Sequence, residues 1–167
     1  MIIYFITMEN SYILKTTITF NPTGKKYNAI ASIATQQEIK QHKEYFEFDF
    51  EKLYKQGIVI YKICKAGEDD LIHGMVAFKP SIGVLDCYNM EMNNINKRGS
   101  SLYAGLGKCM IALCCKISFD LGFDGFITFE AKNRLIPYYL RYGARSIGVL
   151  RMGINTVAAQ KLVDLYF

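Results

Sequence analysis

From Val84 to Ala131 the chain reads as strand, glycine-rich turn, helix and strand, and that succession constrains the fold more than any other feature. The flanking runs are Val84–Met92 (VLDCYNMEM) and Gly125–Ala131 (GFITFEA). Between them Leu106, Met110, Leu113, Cys114, Ile117 and Leu121 recur at helical spacing and form one apolar face, with Gly122 as the stop. Two strands joined through a helix have to run parallel, because a tight turn connects only antiparallel neighbours. The sequence therefore demands a sheet with at least one parallel pair.

The residues upstream ask for the opposite pairing. Ile58–Ala66, Leu71–Lys79 and Val84–Met92 are strand-like and separated by the turns Gly67–Asp70 and Pro80–Gly83, which predicts an antiparallel meander. Tyr12–Phe20 alternates as a first strand and closes on the turn Asn21–Gly24. Thr35 to Gln56 is polar with sparse apolar anchors, as expected of helix in two pieces ending at Gly57. Beyond the parallel unit, Asn133–Tyr142 reads as a short helix, Ser146–Met152 as a last strand, and Asn155 as the cap of a helix through Leu165. The expected class is α/β, in the α+β sense of a mixed sheet: an antiparallel meander leading into a central parallel β-α-β pair, within one domain spanning 1–167.

Composition narrows the function classes. At 167 residues with 51% apolar and 21% charged residues, the chain can bury a full core. The apolar start Met1–Met8 is short and lacks the flanks of a signal peptide, and no run approaches the roughly 18 apolar residues of a membrane span. A cytoplasmic protein without a membrane partner is expected. The five cysteines lie inside apolar periodic segments, no C-x-x-C pair exists, and only His42 and His73 could join them, so no metal site is expected. The net charge of +5 is spread over scattered lysines, which argues against nucleic acid as a general partner.

The turn Tyr103-Ala104-Gly105-Leu106-Gly107-Lys108 lies where a helix N-terminus can offer unpaired N–H groups to a phosphate. It is not a nucleotide P-loop, which requires Gly and Ser/Thr where Leu102 and Cys109 stand. Nor is it a dinucleotide fingerprint, since Met110 occupies the place of the third glycine. Gly105-Leu106-Gly107 resembles the pyrophosphate loop Arg/Gln-x-x-Gly-x-Gly/Ala of the GNAT acyltransferases. Tyr138 to Ala144 (YYLRYGA) is similar to that family's Phe-Tyr-x-x-x-Gly-Phe signature, one helix and one strand further on. The chain departs from the pattern at Leu102, in place of Arg or Gln, and at Ala144, in place of a large apolar residue.

The resemblance implies a GNAT-like fold, acetyl-CoA (or another acyl-CoA) as co-substrate, and direct transfer of its acyl group to an amine. Tyr103, Ala104, Gly105, Leu106, Gly107 and Lys108 would hold the pyrophosphate, and the backbone near Met92 would polarise the thioester carbonyl. Tyr139 matches the tyrosine that protonates the departing thiolate, with Tyr138 as the alternative register. Glu91 is the candidate base, Glu130 the second candidate, and Lys97 and Arg98 the candidates for the 3′-phosphate. His73 reads as structural. The aromatic patch Tyr45-Phe46-Glu47-Phe48 would wall the acceptor side. The acceptor stays open among small-molecule amines, peptide amines and aminoacyl-tRNA, and the apolar final strand and helix offer a homodimer edge. The alternative is a catalytically inactive GNAT-like module that binds acyl-CoA or a partner, favoured by Leu102.

Overall fold

A computed structural model describes residues 11–97, 99 and 101–167; Met1–Met8 and Arg98 lie outside the described residues. The strands are β1 Ser11–Phe20, β2 Lys25–Ile33, β3 Val59–Lys65, β4 Glu68–Ser81, β5 Val84–Met92, β6 Tyr103–Ala104, β7 Ile127–Glu130, β8 Arg145–Ser146 and β9 Arg151–Ile154. The helices are α1 Gln36–Gln41, α2 Phe50–Lys55, α3 Leu106–Asp120, α4 Ile136–Arg141 and α5 Thr156–Tyr166. The strands form one sheet in the order β6-β1-β2-β3-β4-β5-β7-β9-β8. β3, β4 and β5 make the expected antiparallel meander, and β5 and β7 pair in parallel through α3.

Local signals explain where the helices begin. Thr35 and Glu38 form a reciprocal capping box at α1, Asp49 caps α2, and Asn155 caps α5 by accepting from Ala158 N–H. The polar stretch between Thr35 and Gln56 is thus two short helices, joined through a single 3-10 turn at Lys43–Tyr45.

Besides the two-residue β6 at the start of the glycine turn, two elements differ from expectation. β2 was not foreseen: its inward residues include Ala29 and Ala31, fully buried but weak as a strand signal, so the alternation of KKYNAIASI is muted. The last strand, expected over Ser146–Met152, is a hairpin instead. Its turn carries Ile147, Gly148, Val149 and Leu150, with Leu150 at φ +58° and Val149 95% exposed, and β9 starts only at Arg151. Apolar residues in a turn mimic a strand when only composition is available.

The two faces of the sheet bury separate cores. The larger joins β-strand residues such as Leu14, Tyr61, Phe78 and Phe129 to the buried faces of α3 and α5. The smaller packs Ile39, Phe46 and Phe50, from α1, α2 and their connection, on Ile60, Met75 and Ala77. All five cysteines are buried and unbridged.

One irregularity positions the site. In the β4–β5 ladder Phe78 faces Cys87 but Ala77 faces Asn89, leaving Tyr88 as an extra residue, a β-bulge. The parallel β5–β7 pairing stops at Cys87–Phe129, next to that bulge. Past it, Tyr88 to Met92 continue beside β4 with no β7 residue opposite, so β5 and β7 part.

Candidate functional site

The bulge decides which side chains face which core. Cys87, Met90 and Met92 lie with the larger core, whereas Glu91 is opposite Met75 of the smaller one. Glu91 therefore turns toward the α1–α2 connection. Its carboxylate accepts from Glu47 N–H at 2.7 Å, from Phe48 N–H at 2.9 Å and from Lys97 Nζ at 2.9 Å. Lys97 also approaches Glu47 Oε1 at 3.4 Å, so carboxylates already surround this candidate for the 3′-phosphate.

The segment from β5 to α3 is fixed from inside. Asn93 donates from Nδ2 to Ile72 C=O and accepts from Ile95 N–H. Asn96 accepts from Tyr103 N–H at 2.9 Å and presents Nδ2 to His73 Nδ1 at 3.0 Å. Because the peptide N–H of Tyr103 can only donate, the Asn96 amide is oriented, His73 Nδ1 is the acceptor, and Nε2 carries the proton. Among the described residues that Nε2 is the one buried side-chain nitrogen or oxygen without a hydrogen-bond partner. Burial pushes the His73 pKa down to about 4, and its ring meets Tyr103 edge-on at 4.8 Å. His73 thus braces the loop through Nδ1 while its Nε2 proton stays without a partner.

Tyr103 is buried against Phe20 and His73 and ends in the exposed pair Ala104 and Gly105. Gly105 sits at φ +94°, and a Cβ there would lie on the Thr17 carbonyl oxygen, far inside contact distance. Both conditions exclude any other residue. The first helical bond of α3 runs from Cys109 N–H to Gly105 C=O at 3.1 Å. The N–H groups of Leu106, Gly107 and Lys108 therefore have no acceptor within the helix. This set of donors beside an exposed glycine forms a cradle of the kind that phosphate oxygens accept from.

The second glycine has a different cause. A Cβ on Gly107 would collide with the Tyr138 hydroxyl, which α4 lays over the first turn of α3. Burial, with Tyr142 beside it, pushes the Tyr138 pKa above the ordinary tyrosine range. Lys108 turns toward aromatic rings, with Nζ 5.4 Å from the Tyr142 centroid and 5.8 Å from that of Tyr166. Leu102 packs on the larger core, so no cation stands at that place.

Tyr139 lies under the point where β5 and β7 part. Its ring is 4.7 Å from Phe129, the last residue of β7 in parallel pairing. Burial raises its pKa, as do the nearby thiols of Cys114 and Cys87. Cys87 itself is pushed well up by its hydrogen bond with Cys114 and by burial, which makes it a poor nucleophile. Glu130 is exposed and pairs across the sheet with Arg151.

Sequence reasoning missed two features. One is the Tyr88 bulge, which has no compositional signature. The other is the network in which Asp86 Oδ1 accepts from Thr128 Oγ1 at 3.1 Å and from Arg151 at 2.7 Å, tying β5, β7 and β9 together below the parting. A charge in mid-strand at Asp86 was the available signal. Among the described residues no group of His, Cys, Asp and Glu could hold a metal, and no helix is long and apolar enough to cross a membrane.

No family model matches the sequence, and no curated protein matches it. Solved structures do match. A protein assigned to the GNAT acetyltransferase family from Desulfovibrio desulfuricans superposes with a TM-score of 0.55 at 14% identity, over 77% of this chain and 99% of its own. AtaTR bound with acetyl-CoA gives 0.57 at 10% identity, over 80% and 97%. The ribosomal-protein-S18-alanine N-acetyltransferase of Escherichia coli gives 0.55 at 10% identity, over 75% and 92%. With the mixed sheet, its single parallel pair among the described strands and the crossover through α3, these superpositions show that the chain has the fold of the GNAT acetyltransferases.

Proposed function

We propose that this protein transfers an acetyl group from acetyl-CoA to an amine. One observation carries the reading: the Gly105 cradle, the parting of β5 from β7 and the Tyr139 phenol lie in one fold whose matched structures include an acetyl-CoA complex. Bound acetyl-CoA supplies the activated acyl carbon and a thiol leaving group. The chain supplies the rest. The amides of Leu106 to Lys108 hold phosphate oxygens at the positive end of α3. The edge of β5 from Tyr88 to Met92, released from β7 by the bulge, offers peptide groups to an extended arm. The amide near Met92 orients the carbonyl and stabilises charge on its oxygen.

Tyr139 holds a proton for the departing sulfur. A raised pKa keeps the phenol protonated, which is the form a general acid needs. The acceptor enters from the side walled by the α1–α2 connection, where Tyr45 and Phe48 stay partly exposed. The acceptor is an amine, whether of a small molecule, a peptide such as the N-terminal alanine acted on by the matched Escherichia coli enzyme, or an aminoacyl-tRNA.

Calorimetric titration with acetyl-CoA tests the reading, alongside Ala104→Glu, which places a carboxylate on the exposed rim of the cradle without burying it. We expect micromolar-range binding that the variant loses, followed by amine-dependent release of CoA that Tyr139→Phe slows. Absence of binding at millimolar acetyl-CoA refutes the enzyme. Binding without turnover on any amine leaves the acyl-CoA-binding module that Leu102 favours.

A further inference from the structure

The α1–α2 connection is rooted at both ends and fastened in the middle by one side chain. Phe46 and Phe50 are buried and meet edge-on at 5.7 Å within the smaller core. Between them the chain rises to expose Phe48, which is 41% accessible, with Tyr45 at 39% just before. At that rise the peptide N–H groups of Glu47 and Phe48 each bond a different oxygen of Glu91, and Lys97 bridges Glu47 and Glu91 from the side. Glu91 is the penultimate residue of β5, adjacent to Met92 at the free strand edge.

This arrangement suits a clamp better than a base. A base needs an oxygen open to the acceptor's proton or to a water leading to it. Both Glu91 oxygens are instead engaged by fixed donors, and taking up a proton means surrendering a peptide N–H or the Lys97 ammonium. Two peptide bonds aimed at one carboxylate hold a backbone segment, not a mobile substrate.

We propose that Glu91 is a positioning residue that clamps the Glu47–Phe48 peptide over the end of β5, so that the aromatic strap screens the acyl carbon from water. The inference rests on the acetyl-transfer reading, which places that carbon beside Met92. The strap then forms a fixed acceptor wall, and its closure limits wasteful hydrolysis until an amine displaces the remaining water.

The test uses the whole chain and two readouts that require no identified acceptor. The first is hydrogen exchange at the amides of Glu47 and Phe48, with that of Ile39, bonded to Thr35 C=O within α1, as the internal control. The second is the slow hydrolysis of acetyl-CoA without amine, followed as free thiol. Water forms the new C–O bond, the C–S bond breaks, and a proton passes to the thiolate, giving acetate and CoA. In Glu91→Ala the two strap amides should exchange at least about tenfold faster with Ile39 unchanged, and hydrolysis should rise several-fold. Glu91→Gln, which keeps one carbonyl acceptor and the side-chain volume, should fall between, and it guards against a fold defect in the alanine variant. A base predicts the opposite sign, because the same carboxylate would activate the water and its loss would slow hydrolysis. Falling or level hydrolysis, or unchanged strap exchange, overturns the clamp alone. Failure of the wild-type chain to bind acetyl-CoA overturns the acetyl-transfer reading and the screening role with it.

Discussion

The proposed cofactor side and the proposed acceptor side of this fold are built by different means. Around Gly105 the backbone is held by buried contacts: Asn93, Asn96 and His73 beneath the loop, Thr17 against the glycine and Tyr138 over the helix start. Around Phe48 and the β8–β9 turn the fastening is a set of polar ties to Glu91, and a hairpin whose tip leaves Ile147 and Val149 in solvent. The first region has one solution for a given ligand and tolerates little change. The second can be re-clothed without disturbing the core, which suits the acceptor role proposed for it.

That contrast is open to direct attack. The largest effect is expected from Gly105→Ala, which combines a strained φ of +94° with a collision against Thr17 C=O. It should cost about 3 kcal/mol or more in denaturant unfolding and abolish acetyl-CoA binding. Tyr139→Phe should lower kcat by about a hundredfold with acetyl-CoA affinity unchanged, since it removes a proton and not a packing surface. In the wild type the alkaline limb of kcat should lie above the ordinary tyrosine pKa of about 10, because burial raises that of Tyr139.

His73 should make the cofactor side sensitive to acid. Its folded pKa, about 4, lies below the ordinary histidine value of about 6.5. The unfolded chain therefore binds the extra proton first, and stability is lost as pH falls from about 6.5 toward 4. His73→Gln should flatten that part of a pH series of thermal midpoints, though with a lower plateau near neutrality. A slope that survives the substitution would place the acid sensitivity elsewhere. The smallest change is expected on the acceptor side: Phe48→Ala should alter the amine KM while shifting stability by no more than about 1 kcal/mol. A Phe48→Ala chain as unstable as Gly105→Ala would erase the distinction between the two regions.

The legible part of the fold was the part that repeats a period. The face from Leu106 to Leu121 and the turns between β3, β4 and β5 announced the crossover and the meander without help. β2 was hidden because alanines fill its inward positions, and the β8–β9 hairpin because its exposed turn is as apolar as a strand. At the site, the glycine pair was visible but its meaning was not. Gly105 answers to backbone geometry and Gly107 to a side chain thirty-one positions away, a distinction that exists only once α4 is packed on α3. Glu91 was visible as a carboxylate, whereas its partners are peptide N–H groups, which every sequence possesses and none displays.

The bulge at Tyr88 makes β5 a strand whose residue count matters more than its residue types. With that extra residue, Met90 and Met92 join the larger core and Glu91 reaches the strap. Pairing Tyr88 in register would exchange those faces, turning a carboxylate toward α3 and a methionine toward the Glu47–Phe48 peptide, whereas deleting one residue there would keep the faces and straighten the bulge away. Substitutions along Tyr88–Met92 should thus be accepted more readily than a single deletion, which removes the bulge beside which β5 and β7 part. Drift in this protein can rewrite that stretch of β5 but cannot shorten it.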